Sequence, residues 1–187
     1  MLLHEFFGLF SLSAFFMWGF LMAFFFNVFV YSLDVKRGTT LLLSSFVMMC
    51  SYTLSDYFFT WLSLKNSLNL NFALYDIATI TALTIVYKLV KKTTPSFLYL
   101  LIGLSINSIF FLLMHLDTDI YGNKYHWWFW EVYIYTVNSI DIIMIVALIV
   151  DRDILGLHKL KNEIRTLLNP CANSKMPLLK IHFYFYA

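Results

Sequence analysis

Six residues of this chain carry chemistry where chemistry is expensive. Asp56, Asp76, Asn107, Glu131, Asn138 and Asp141 all fall inside or at the border of long apolar runs. An aspartate at the centre of a lipid-embedded helix costs at least about 2.5 kcal/mol on insertion scales. Inward packing, hydrogen bonding or protonation can offset that cost, so these residues are expected to form an intramembrane polar network. Acids inside a membrane are also the groups that carry protons or ions. A second group lies in the stretch HLDTDIYGNKYH, which supplies His115, Asp117, Asp119 and His126. Imidazole and carboxylate are the usual ligands of transition metals, so these four are the metal candidates. Their spacing matches no motif with a known mechanism, and the plainer expectation is a solvated loop with interfacial residues.

Other chemistries find less support. No H-E-x-x-H is present, which removes the commonest zinc-protease signature, and no Ser–His spacing suggests a nucleophile. His4, His115 and His126 sit at the edges of apolar runs rather than inside them, so a haem held between two helices is not expected. The sequence identifies no catalytic residue and no cofactor. Two cysteines, Cys50 and Cys171, are too few for a disulfide framework.

The elements that must position these groups follow from composition. The chain has 187 residues, 60% hydrophobic and only 13% charged, whereas soluble domains run near 25% charged. Its mean hydropathy of +0.73 leaves too little polar surface for a soluble globule. A membrane-spanning helix needs roughly 20 mostly apolar residues. Five stretches meet this requirement: 6–33, 40–64, 70–87, 96–114 and 127–150. They are continuously apolar and lack the alternation of a membrane β-barrel. The expected fold class is therefore all-α, a polytopic transmembrane bundle of five spans. Residues 1–150 form the membrane domain and residues 151–187 a short cytoplasmic tail.

Charge sets the direction. Lys36, Arg37, Lys88, Lys91, Lys92, Arg152, Lys159, Lys161, Arg165, Lys175 and Lys180 fall on one side of the bilayer under this assignment. Only Lys65 and Lys124 fall on the other. Cytoplasmic loops carry the excess of Lys and Arg, so the N-terminus is expected outside and the C-terminus in the cytoplasm. The expected location is the bacterial cytoplasmic (inner) membrane. The first span has no Lys or Arg before it, is too long for a signal sequence and has no small-residue cleavage site. It is read as retained. Trp61, Trp127, Trp128 and Trp130 mark outer borders, while Trp18, in mid-span, is expected to pack between helices.

Residues at i, i+3, i+4 and i+7 share a helix face. In the fifth span Glu131, Tyr135, Asn138 and Asp141 form a polar stripe. The second span offers Ser45, Tyr52 and Asp56, and the third Asp76, Thr79 and Thr84. Ser108, His115, Gly103 and Asn107 share the fourth. Gly19 and Ala23 have the small-x-x-x-small spacing that lets helices approach closely.

The segment DRDILGLHKLKNEIRTLL gathers Leu157, Leu160, Ile164 and Leu167 on one face, with Arg152, Lys159, Lys161 and Arg165 elsewhere. A basic amphipathic helix of this kind suits an anionic leaflet or a cytoplasmic partner. The layout, several spans followed by a short helical extension, resembles the membrane portion of bacterial sensor proteins in architecture alone. The leading functional expectation is a non-enzymatic membrane component of sensor, regulatory or assembly type. A small proton- or cation-coupled transporter is the second, and a membrane enzyme with an outer metal site the third. The expected partners are the lipid bilayer and either a second copy or another membrane or cytoplasmic protein; no nucleic acid is expected.

Overall fold

A computed structural model of the chain describes residues 2–33, 39–58, 68–91 and 94–151, without the side chains of residues 2–13 and 56–58. Lys36, Arg37, Trp61, Lys65 and the tail residues Arg152, Lys159, Lys161 and Arg165 lie outside the described residues. The described chain is helical, with no strand among those residues. The helices are α1 (Leu2–Ser32), α2 (Thr39–Phe58), α3 (Leu68–Val90), α4 (Pro95–His115) and α5 (Trp128–Val150). Four helical segments are long and apolar enough to cross a bilayer: Ala14–Ser32, Leu68–Val90, Pro95–Ile120 and Trp128–Val150. Thr39–Ser55 is a shorter apolar helix.

The boundaries have local causes. Pro95 opens α4, where its missing N–H and fixed φ cost nothing, and Thr94 before it is extended at φ −108°. Beyond His115 the α4 backbone continues as a π-helical turn, Leu116–Ile120, in which Tyr121 N–H donates to Leu116 O at 2.9 Å. Gly122 then reverses the chain at φ +67°, a backbone conformation that glycine adopts without a Cβ penalty. At the opposite end Lys91 (φ 55°) and Asp151 (φ 46°) take the left-handed conformation as α3 and α5 end.

The helices close into a ring: α1 packs on α2, α2 on α3, α3 on α4, α4 on α5, and α5 on α1. Contacts fix the directions. Ser96 meets Asp151 and Asn107 meets Asp141, so α4 and α5 run antiparallel. Asn27 donates to Leu148 O at 3.2 Å and Gly19 lies against Ile145, so α1 and α5 run parallel.

The ring is apolar outside and partly polar inside, the reverse of a soluble bundle. Phe15, Met22, Phe25 and Phe29 on α1 are more than half exposed, whereas Asn27, Ser44, Ser45, Asn71, Asp76, Thr79, Asn107 and Asp141 are buried. Lipid tails are the solvent that suits such an exterior. Trp18 departs from its expected place between helices. It is 56% exposed, because the inward face of α1 is already occupied by Phe16, Phe20, Ala23 and Asn27.

Candidate functional site

Asp141 is the focus of the interior. It is 5% exposed and sits near the middle of α5. Two side chains from other helices donate to its Oδ1: the Tyr52 hydroxyl from α2 at 2.6 Å and the Asn107 Nδ2 from α4 at 2.8 Å. From α1, the Phe20 ring covers Tyr52 with ring centroids 4.1 Å apart. Asp76 on α3 is also buried, at 8% exposure, and lies within electrostatic range of Asp141. All five helices therefore contribute to one layer.

That layer is enclosed by apolar packing on both sides along the bundle axis. One turn from Asp141 in one direction is Met144, and in the other Val137. The same order appears on α4, where Asn107 lies between Leu104 and Phe111. Met144 and Leu104 belong to one buried cluster, with Phe20, Met48, Leu83 and Leu148. Val137 and Phe111 belong to a second, with Ala73. The polar groups thus form a seam between two apolar cores. From the His115 end of α4, eight residues at 1.5 Å per residue put Asn107 about 12 Å deep.

Neighbouring bonds set the register of the seam. Ser51 and Thr79 share a hydrogen bond between α2 and α3, and the Thr79 hydroxyl also donates to Tyr75 O. Ser108 Oγ donates to Ala73 O at 3.4 Å between α4 and α3. Among the described residues three buried polar atoms have no hydrogen-bond partner: Ser44 Oγ, Asp76 Oδ2 and Asn107 Oδ1.

The structure thus brings Asp76, Asn107 and Asp141 into one seam with Tyr52. Asn138 is half-buried one turn away on α5. Glu131 and Tyr135 face outward, Tyr135 at 70% exposure. The partly buried aromatic at this end of α5 is instead Tyr133, edge-on to Phe111 with centroids 5.9 Å apart. Asp56 belongs to α2, with its side chain outside the described residues. Tyr52 was seen in the sequence only as one polar residue on a face. Its role as a donor to Asp141 depends on the register between helices 89 residues apart in sequence.

The four metal candidates are engaged separately. His115 Nδ1 pairs with Asp119 Oδ2 at 2.7 Å, one helical turn on. His126 Nε2 lies 3.6 Å from Glu131 Oε1. Asp117 Oδ2 accepts both the Trp127 and Trp130 indole N–H groups at 3.0 Å, and Asn123 Nδ2 donates to Asp117 Oδ1 at 3.2 Å. Among the described residues no three His, Cys, Asp or Glu side chains converge as a metal centre. Asp117 acts as a tie for the α4–α5 loop, drawing the aromatic belt of α5 onto the end of α4. Asp117→Ala removes three acceptor contacts at once. The expected result is severalfold faster protease cleavage between residues 121 and 127 and a red-shifted tryptophan emission, while Asp119→Ala leaves both unchanged.

At the other end, Asp151 Oδ1 accepts the Ser96 hydroxyl at 2.9 Å and the Ser96 amide at 3.4 Å. A carboxylate from the end of α5 thereby satisfies a first-turn N–H of α4, which has no partner within its own helix. Thr94 Oγ1 lies 2.9 Å from Ser96 Oγ and extends the contact. Compared with known proteins, the chain matches no family model, no curated protein and no solved structure.

Proposed function

We propose that this chain is a multi-pass membrane protein of sensor, regulatory or assembly type, non-enzymatic, acting through its polar interior and a cytoplasmic tail. In this reading five helices cross the membrane, the N-terminus and the α4–α5 loop face outward, and residues 151–187 lie in the cytoplasm. The distribution of Lys and Arg supports that orientation. The bacterial inner membrane is the proposed location, and a membrane or cytoplasmic protein the proposed partner.

The observation that carries the reading is the double hold on Asp141 by Tyr52 and Asn107. A buried carboxylate bonded to two other helices ties three helix positions together. Displacing any one of them leaves a buried group without its donor, which favours discrete arrangements over gradual ones. Such an element can pass a change at one face to the other. The Ser96–Asp151 contact holds the first turn of α4 to the end of α5, so a shift of α4 is felt at the last described residue before the tail.

The test is truncation. Deleting residues 157–187 is expected to leave membrane insertion intact and abolish co-purification of the partner recovered with the full chain. Unchanged partners after truncation would contradict the reading, as would both termini labelling from the same side of the membrane.

A further inference from the structure

The seam holds more acceptors than donors, and the excess has a direction. Asn107 commits its Nδ2 to Asp141, which fixes how the amide is turned and leaves Oδ1 as an acceptor. That oxygen is enclosed and receives nothing, in a residue 1% exposed. Asp76 Oδ2 is in the same condition, in a residue 8% exposed. Tyr52 and Asn107 both bond Oδ1 of Asp141, so neither bond reaches its Oδ2.

Position links these groups. Asp76 is one turn from Ala73, whose carbonyl accepts Ser108, the residue after Asn107. It is also one turn from Thr79, which bonds Ser51, the residue before Tyr52. Asp76 therefore stands within a turn of both helices that hold Asp141. The titratable groups facing the seam are Tyr52 from α2, Asp76 from α3, and Tyr133 and Asp141 from α5. From α4 comes the neutral Asn107, and from α1 the Phe20 ring. Among the described residues no Lys, Arg or His is buried there. The described residues therefore supply no cation to balance these acids.

We propose that Asp76, Asn107 and Asp141 form a binding site for one exchangeable monovalent cation, a proton or Na+, held by carboxylate and amide oxygens. Met144, Leu104, Val137 and Phe111 bound the seam along the bundle axis, and a divalent ion, which takes six to eight oxygens as Ca2+ or keeps several waters as Mg2+, is a separate outcome of the test. The site is independent of partner recruitment by the tail, so it can stand or fall without the regulatory reading.

The experiment follows thermal unfolding of the full chain in nanodiscs, in choline chloride at constant ionic strength, while NaCl or pH is varied. The expected result is a midpoint that rises and saturates as for a single site. A rise on adding NaCl at constant pH identifies Na+; a rise on acidification that NaCl does not alter identifies the proton. The dependence should disappear in Asp76→Asn/Asp141→Asn and persist in Asp119→Asn. Infrared difference spectra of the wild-type chain provide a second readout that needs no variant, because a carboxyl band should respond to the same ion. The proposal is overturned if midpoint and band are indifferent to both ions, if only divalent ions act, or if the dependence survives in the double variant.

Discussion

Replacing Asn107 by leucine is expected to destabilise the bundle by about 1–2 kcal/mol, and replacing Asp141 by leucine in the same chain should restore part of the loss. The first substitution removes one of the two donors to a buried carboxylate. Hydrogen bonds to charged groups contribute about 1.5–3 kcal/mol. Part of that loss is offset, because the substitution also deletes the unpartnered Asn107 Oδ1. With Asp141 gone as well, the carboxylate that lost its donor is removed, and replacing both partners of a buried hydrogen bond by apolar groups can be nearly neutral; the cost that remains is the Tyr52 hydroxyl, which loses its acceptor. Double-mutant cycles between membrane helices average about 0.6 kcal/mol. The coupling here should exceed that average, because the acceptor is an acid 5% exposed with its bonded donors on two different helices. Reversible unfolding in mixed detergent micelles gives the four stabilities. Additive effects of Asn107→Leu and Asp141→Leu would mean that the two residues do not meet in the membrane.

The helical class was legible because lipid imposes a simple rule: uninterrupted apolar stretches must satisfy their own backbone. The expected boundaries of the fourth and fifth spans, 96–114 and 127–150, lie within one residue of α4 and α5. Which residues turn inward was only partly legible. Each residue advances a helix by about 100°, so Tyr135 lies about 120° around α5 from Asp141. Counting polar residues along the span placed Tyr135 and Glu131 in line with the aspartate, while the phase of the helix puts Val137 nearest it, about 40° away, and sets Glu131 and Tyr133 about 80° away on opposite sides; of those two it is Tyr133 that meets Phe111. Polarity was a poor guide at that end because Tyr and Glu near an interface find water without turning inward. The bonding partners of Asp141 were not legible at all. They depend on which helices adjoin and at what height, and no pattern within one helix encodes either. The loop acids illustrate the same limit. Asp117 and His115 look like ligands in a linear reading, yet the π-helical turn aims Asp117 at two indoles and leaves His115 to Asp119.

Packing between α4 and α5 provides the larger mutational effect. Gly103 faces Met144 so closely that an added Cβ would lie 2.6 Å from Met144 Sδ, 2.8 Å from its Cγ and 3.1 Å from Ile140 Cγ2. Met144 is fully buried and belongs to one cluster with Leu100, Leu104 and Leu148, so it cannot move aside into solvent or lipid. Overpacking a dense core typically costs about 1–3 kcal/mol, and Gly103→Val, with two further methyl groups, should reach the upper end of that range. Gly19 offers the contrast. Its added Cβ would meet Ile145 Cδ1 at 2.6 Å, but the rest of that side chain stands at 3.4 Å or more. Ile145 is only partly buried, so its terminal methyl can rotate toward lipid, and Gly19→Ala should cost well under 1 kcal/mol. The decisive variant is Gly103→Ala combined with Met144→Ala. If the close approach of α4 and α5 is the cause, truncating Met144 makes room and recovers part of the stability lost in Gly103→Ala. The cavity left by Met144→Ala alone costs about 2–5 kcal/mol, so the double variant should be more stable than the sum of the singles implies. Because Met144 is one turn from Asp141, any displacement of α5 by Gly103→Val should also lengthen the Asn107–Asp141 contact. Combining Gly103→Val with Asn107→Leu should accordingly cost less than the sum of the two, and strict additivity would separate the packing of this helix pair from the polar seam it encloses.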